Sequence, residues 1–376
     1  MNKDNRNQPE AASETNGKNP QLEALRGIMA VMVLISHVSL IRLYFGRSED
    51  YLNPVMYHLG RVAVTGFFVL SGYLITKSIL SKIQAGEWNL TTFYRARLLR
   101  IAPLYFLIVG LAVFILPHID ALQFTVPHYA KDVRTETHNY WYFLFLLPEI
   151  PIINDSILPF AEPTWSIGVE EIFYILIPVV ITLSGKRFIQ VLSFCILVFL
   201  ACKYLSIYHY QFPSHNLSAK ILTFFRYDCI GLGCLLAVLE FRKSKLFSSV
   251  NLAAFLIAVV VLIALLSTSG IKDYDYFPYA VCFGIIITYL AGDKAKFNNP
   301  KWLVYTGTIS YSLYLCHEII VVFLLNLNLD EKSMPAMYLL SILFSVGLAS
   351  LLYALVERPF MLLAKSKLNR KTEVSE

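Results

Sequence analysis

Charge is scarce in this chain. Of its 376 residues, 15% are Asp, Glu, Lys or Arg, against 56% hydrophobic and 14% aromatic. That balance excludes an ordinary soluble domain, in which charged residues make up about 25%. Cysteine is sparse and unpatterned as well. Cys195, Cys202, Cys229, Cys234, Cys282 and Cys316 all fall in apolar stretches without paired spacing. This excludes a disulfide framework and a metal site of zinc type, and leaves them as small packing residues. There is no phosphate-loop glycine motif, no fused soluble domain and no internal repeat. A cleavable signal peptide is excluded too, because the first apolar run is too long for an h-region and lacks a small-residue cleavage site.

What remains is a chain built from apolar runs of membrane-crossing length. About ten can be placed, at 22–44, 59–80, 98–116, 165–183, 188–205, 221–239, 250–266, 277–290, 309–325 and 337–363, the eighth being short. Roughly 20 apolar residues cross a hydrocarbon core. The expected fold is therefore all-α, a polytopic transmembrane helical bundle forming one domain over 22–364 with its backbone polar groups satisfied inside helices. Residues 1–21 are polar and aperiodic, which predicts a disordered tail, and 365–376 form a short basic tail. The net charge of +6 matters through its distribution: Lys77, Lys82, Arg95, Arg97 and Arg100 follow the second run, and Arg242, Lys243 and Lys245 follow the sixth. Intervening loops are richer in acid, as at Asp120, Asp132, Glu136 and Glu149. By the positive-inside rule both termini are cytoplasmic, which requires an even number of crossings, and the basic excess serves orientation rather than nucleic-acid binding.

The first run carries the two groups that hydrocarbon least favours, Arg26 and His37. Their eleven-residue separation is about 16 Å along a helix axis and close to three whole turns, so both share one face. With Arg26 at one boundary, His37 lies near mid-membrane, a depth at which ionisable groups face the bundle interior and mark pathways or reaction sites. The pair suggests an anion clamp joined by a channel to a proton-transfer group. The plainer reading makes Arg26 a flanking charge and His37 a hydrogen-bonded core residue. Ser71 in the second run lies near the level of His37, although Ser71 and Gly72 also suit close helix approach. Arg97 and Arg100 share one helical face and can grip a phosphate with forked donors, or simply obey the orientation rule.

In the fourth run Trp165 suits the outer interface, and Glu170, about 8 Å further in, reaches a level near His37. A carboxylate there would fix the imidazole tautomer for general base catalysis; a structural carboxylate is the alternative, more so for Glu171. His317 reads as a satisfied core histidine, Arg226 and Asp228 as partners of neighbouring helices, and Glu357-Arg358-Pro359 as an interfacial ion pair with a kink. The loop over 117–164, with an aromatic stretch at 140–145, is a candidate acceptor-binding lid.

In their order and spacing, several segments together resemble the acyltransferase family 3 membrane proteins. They are Arg26 with ten residues before His37, Phe67-Phe68-Val69-Leu70-Ser71-Gly72, Arg97-Leu98-Leu99-Arg100-Ile101-Ala102-Pro103, Trp165-Ser166-Ile167-Gly168-Val169-Glu170 and Ser310-Tyr311-Ser312-Leu313-Tyr314. The resemblance runs from Leu22 to about Phe360 and is similar to the standalone type without a fused extracytoplasmic domain. It implies a multi-pass enzyme of the bacterial inner membrane. Such an enzyme transfers an acyl group, commonly acetyl from acetyl-CoA, to a hydroxyl of an extracytoplasmic carbohydrate such as lipopolysaccharide O-antigen, exopolysaccharide or peptidoglycan. Thr65 departs from the family, which often has an acidic or amide side chain there, so no role of such a side chain carries over.

Residues and resemblance together imply acyl-CoA as a donor substrate, with no permanently bound cofactor. Its phosphates are expected at Arg26, Arg97 and Arg100, its path past Phe68, Ser71, Gly72 and Trp165, and its thioester near His37. His37, oriented by Glu170 or another acid, then takes the proton of the acceptor hydroxyl. Direct transfer and an acyl-histidine intermediate are both open, as is a lipid or small-molecule acceptor. The competing class is a proton-coupled transporter using His37, Glu170 and Arg226, set second because matching interrupted helices in two halves are not visible.

Overall fold

The computed structural model describes residues 19–123, 140–154, 157–209, 217–267 and 275–364. The expected tails at 1–18 and 365–376, and 124–139 and 155–156 of the long loop, lie outside the described residues.

Helix starts follow local chemistry. α1 (Pro20–Tyr44) begins where the Asn19 side chain accepts from the Gln21 N–H at 2.8 Å, with Pro20 in its first turn and Glu23 near the positive end of the helix dipole. Asn53 and Asn89 cap α2 (Pro54–Gln84) and α3 (Leu90–Phe114) in the same way. Residues 20 and 21 thus belong to α1 rather than to a tail, and the Gln21 amide donates to the Phe297 carbonyl at 2.9 Å. Short helices α4 (Tyr140–Leu144) and α5 (Glu149–Ile153) lie in the long loop, followed by α6 (Thr164–Ser184), α7 (Phe188–Tyr204), α8 (Leu217–Phe225) and α9 (Tyr227–Phe241). The remainder is α10 (Lys245–Ser249), α11 (Leu252–Ser267), α12 (Phe277–Ala291), α13 (Lys301–Thr308), α14 (Ser310–Asn326), α15 (Leu329–Lys332) and α16 (Met334–Leu352).

Among the described residues, six segments are long and apolar enough to cross a bilayer: Pro20–Tyr44, Pro54–Gln84, Leu90–His118, Thr164–Tyr204, Lys220–Phe241 and Met334–Ala364. α13 and α14, bent by 84° at their junction, make a seventh if the pair is one crossing. The chain is a multi-span, all-α membrane bundle. The expectation of ten spans differs from this for two reasons. The fourth and fifth runs fall in the one segment Thr164–Tyr204, turned at Gly185 (φ 49°), and the seventh and eighth form α11 and α12, of only 16 and 15 residues. Past α16 a π-helical turn, Tyr353–Glu357, carries the chain on, and Glu357 is buried, accepting from Ser312 Oγ at 2.7 Å.

α1 and α2 occupy the centre, α1 packing also on α13 and α14, and α2 on α9. The α2–α9 crossing is backbone against backbone. A Cβ at Gly72 would collide with the Ile230 carbonyl oxygen, and one at Gly233 with that of Val69. In lipid no hydrophobic force draws apolar helices together, so such reciprocal close approach supplies the van der Waals contact that does. Some buried ions are paired across elements. Asp330 accepts from Arg42 Nε at 3.2 Å and Arg47 Nη1 at 2.6 Å, holding the C-terminal end of α1, and Lys203 Nζ of α7 donates to Asp228 Oδ2 of α9 at 2.5 Å.

Candidate active site

At the Arg26 end of α1 a cavity of about 160 Å³ opens among α1, α2, α3, α6 and α14. Arg26, Arg97 and Arg100 line it, with Phe68 and Ser71 from α2, Glu170 and Tyr174 from α6, and Tyr311 and Tyr314 from α14. Tyr174 OH donates to Glu170 Oε2 at 2.5 Å and lies 2.8 Å from Ser71 Oγ. The Arg97 guanidinium lies 5.6 Å from the centre of the Tyr174 ring, and Arg26 Nη1 is 3.4 Å from Glu23 Oε1. Three guanidiniums beside an apolar and aromatic wall suit a multiply charged anion that carries an uncharged arm. Gly72 does not line the cavity; its Cα faces the α9 backbone. Trp165 stands edge-on to Phe68 and Phe224, with ring centroids 6.1 and 5.2 Å away, and likewise stays outside the lining.

His37 lies beyond the cavity, and its hydrogen-bond partner is not Glu170. His37 Nδ1 is 2.9 Å from His317 Nε2 and 3.3 Å from Glu318 Oε1. Glu170 is instead committed to Tyr174 on the arginine side of α6. His317 Nδ1 is 3.2 Å from the Leu313 carbonyl, which can only accept, so that nitrogen carries the proton. A neutral His317 then accepts at Nε2 from the Nδ1–H of His37. This leaves the lone pair of His37 on Nε2, the form a general base requires. The sequence reading of His317 as a core histidine was half the answer: it is 1% exposed, yet its free lone pair sets the tautomer of His37.

Two further charged groups, Glu162 and Arg61, act on His37. Glu162, just before α6, accepts from Tyr44 OH at 3.4 Å. It lies within electrostatic reach of His37, Glu318 and Arg61. Burial pushes its carboxyl up to about 7, and the charge of Glu318 adds to the rise, against the pull of His37 and Arg61. Arg61 follows Gly60, whose position in α2 packs on Ser36 and on the His37 ring, a Cβ there falling 4.0 Å from His37 Cδ2. Glu162 and Arg61 were not singled out by the sequence reading. The available signal was that Arg42, Arg47 and Arg61 sit on the acid-rich side, against the orientation rule.

The Acyl_transf_3 family model, described as an acyltransferase domain, matches residues 19–354. The chain belongs to this family. Family membership and the long apolar helices make it a polytopic protein of the bacterial inner membrane. It is similar to O-acetyltransferase OatA of Staphylococcus aureus (strain NCTC 8325 / PS 47), 28% identical over 361 residues covering 90% of this chain and 57% of that one. It is also similar to the putative O-acetyltransferase SACOL0978 of Staphylococcus aureus (strain COL), 26% identical over 353 residues covering 84% of this chain and 56% of that one. The chain thus spans little more than half the length of these relatives. No solved structure matches it.

Proposed function

We propose that this member of the family is an acyl-CoA-dependent O-acyltransferase that moves an acyl group, most simply acetyl, to a hydroxyl of an extracytoplasmic carbohydrate of the cell envelope. The observation that carries the proposal is the succession along α1: an arginine-lined cavity at Arg26, then a histidine held as a base at His37. The relatives named O-acetyltransferase support the acyl group and the acceptor atom.

In this reading the termini and the arginine-lined mouth are cytoplasmic, and the short helices α11 and α12 complete about ten crossings. The phosphates of the donor bind Arg26, Arg97 and Arg100, while Glu170 and Tyr174 order those arginines. The pantetheine arm runs along Phe68 and Ser71 towards Tyr314. His37 Nε2 takes the proton of the acceptor hydroxyl as its oxygen attacks the thioester carbonyl. Glu318 supports the imidazolium that forms. The C–S bond then breaks, and the imidazolium returns the proton to the departing CoA thiolate, so the ester leaves on one face and CoA on the other.

The test is transfer of labelled acetyl from acetyl-CoA to surface glycan in membranes holding equal amounts of wild type or His37→Ala. Label on glycan only with the intact histidine is expected, with a loss of at least about 10²-fold in the variant. Equal label from both proteins sinks the proposal.

A further inference from the structure

Two guanidiniums, Arg61 within electrostatic reach of His37 and Arg226 behind it, have no carboxylate in contact. Arg61 Nη1 donates to Tyr51 OH at 2.9 Å and to the Tyr57 carbonyl at 3.0 Å, and its guanidinium lies 3.8 Å from the centre of the Tyr57 ring. Arg226, 3% exposed, donates through Nη1 to the Arg61 carbonyl at 2.8 Å and to Thr65 Oγ1 at 2.9 Å, and its guanidinium lies 3.8 Å from the centre of the Tyr276 ring. Among the described residues neither arginine forms an ion pair within 4.0 Å. Other buried cations in this bundle do have their carboxylates, Arg42 with Asp330 and Lys203 with Asp228.

Removing a cation from water without a carboxylate in contact is unfavourable, and here it is done twice in neighbouring positions, with Glu162 and Asp228 acting only from longer range. Arg226 also holds left-handed backbone (φ 43°, ψ 38°) between α8 and α9, a conformation that a non-glycine residue keeps only where its surroundings impose it. Glu162, the acid within electrostatic reach of Arg61, is engaged by Tyr44 and shared with His37. His37, Arg61, Glu162 and Tyr44 all keep partial exposure, so a ligand reaches them. Arginine forks match carboxylate and phosphate geometry, and tyrosine faces accept the apolar face of a sugar ring.

We infer that the acceptor carries an anionic group, carboxylate or phosphate, which binds Arg61 under the added positive charge of buried Arg226 and so brings a neighbouring hydroxyl to His37. The inference rests on the acyl-transfer reading and narrows its acceptor to an acidic glycan.

The experiment uses the full chain in lipid nanodiscs, labelled acetyl-CoA, and envelope glycan of the native cells in three forms: untreated, carboxyl-reduced and dephosphorylated. One treatment is expected to raise KM by about 10- to 100-fold, the range for losing a charged hydrogen-bonded contact, and thereby to name the group. Arg61→Gln and, in a second preparation, Arg226→Gln are expected to raise KM for untreated glycan by a similar factor with kcat changed far less. Equal KM for all three glycans overturns the inference and leaves acyl transfer standing. His37-dependent CoA release with no glycan labelled also overturns it, because the acceptor is then not a glycan. CoA release that is the same in wild type and His37→Ala removes the acyl-transfer reading, and the inference falls with it.

Discussion

At the scale of single residues, the tautomer of His37 decides the proposed chemistry, and one distant side chain held by a backbone carbonyl sets it. The Leu313 carbonyl fixes the proton on His317 Nδ1, and His317 Nε2 then fixes the proton on His37 Nδ1. Glu318, 3.3 Å from the same nitrogen, contributes charge rather than orientation. Glu318→Gln is therefore expected to lower kcat by about 10²-fold while leaving KM for acetyl-CoA unchanged, measured as initial rates of CoA release; a variant that raises KM instead would move Glu318 to the donor site. A second acid acts on stability. Glu149 is fully buried, both its carboxylate oxygens lack a hydrogen-bond partner among the described residues, and burial pushes its carboxyl up to about 7. The folded protein favours the protonated form, so this contribution is complete below the ordinary glutamate range and declines as pH climbs through about 7. Thermal unfolding in nanodiscs should show a loss on the order of 3 kcal/mol between pH 4.5 and 8 that Glu149→Gln abolishes. What could be read at this scale from sequence was depth and face. Helical spacing put Arg26, Arg97 and Arg100 at one end, and the structure brings them together. It carried no information on which side chain 280 residues away meets His37, because periodicity fixes a face on a helix but not the neighbour that face receives.

Elements are held by contacts that an apolar pattern cannot register. Each of the ten apolar runs contains helix, yet their lengths and breaks depart from the runs: α8 and α9 split at Arg226, and α13 turns 84° into α14. The crossing of α2 and α9 depends on Gly72 and Gly233, and sequence reading had already allowed Gly72 a packing role. Gly168 serves a different purpose in the Trp165–Glu170 segment. A Cβ there would collide with the carboxylate of Glu149, so the glycine admits that acid against α6. Between α7 and α9 lies the buried Lys203–Asp228 pair, with Arg226 within electrostatic reach of Asp228. Lys203→Met leaves an unpaired carboxylate and should destabilise by about 3–5 kcal/mol, while Lys203→Met with Asp228→Leu should recover most of the loss. Melting curves of wild type, single and double variants decide this, and a double variant no better than the single would show that the pair is not the source.

At the scale of the whole molecule, the arginine-lined cavity and the His37 group open towards opposite ends of α1. The charge distribution legible in the sequence supports cytoplasmic termini, and the proposed orientation follows from it. A cysteine introduced at Ser48, between α1 and α2, should react with a membrane-impermeant maleimide in intact cells, whereas one at Ala85, after α2, should react only after permeabilisation. The reverse pattern would invert the proposed sides of donor and acceptor. One further consequence follows from the ring that ends the cavity. Tyr314 lines the arginine side, hydrogen-bonds with Ser166 across 2.9 Å, and its centroid is 6.2 Å from that of His317 and 6.4 Å from that of Phe67. A bundle with polar groups approaching from both faces is a weak point in an electrical insulator, since a continuous file of water between them would short the membrane potential. On the proposed path, the aromatic pair Phe67 and Tyr314 would keep that file broken, so side chains that guide an acyl chain would also preserve the voltage on which the rest of the cell depends.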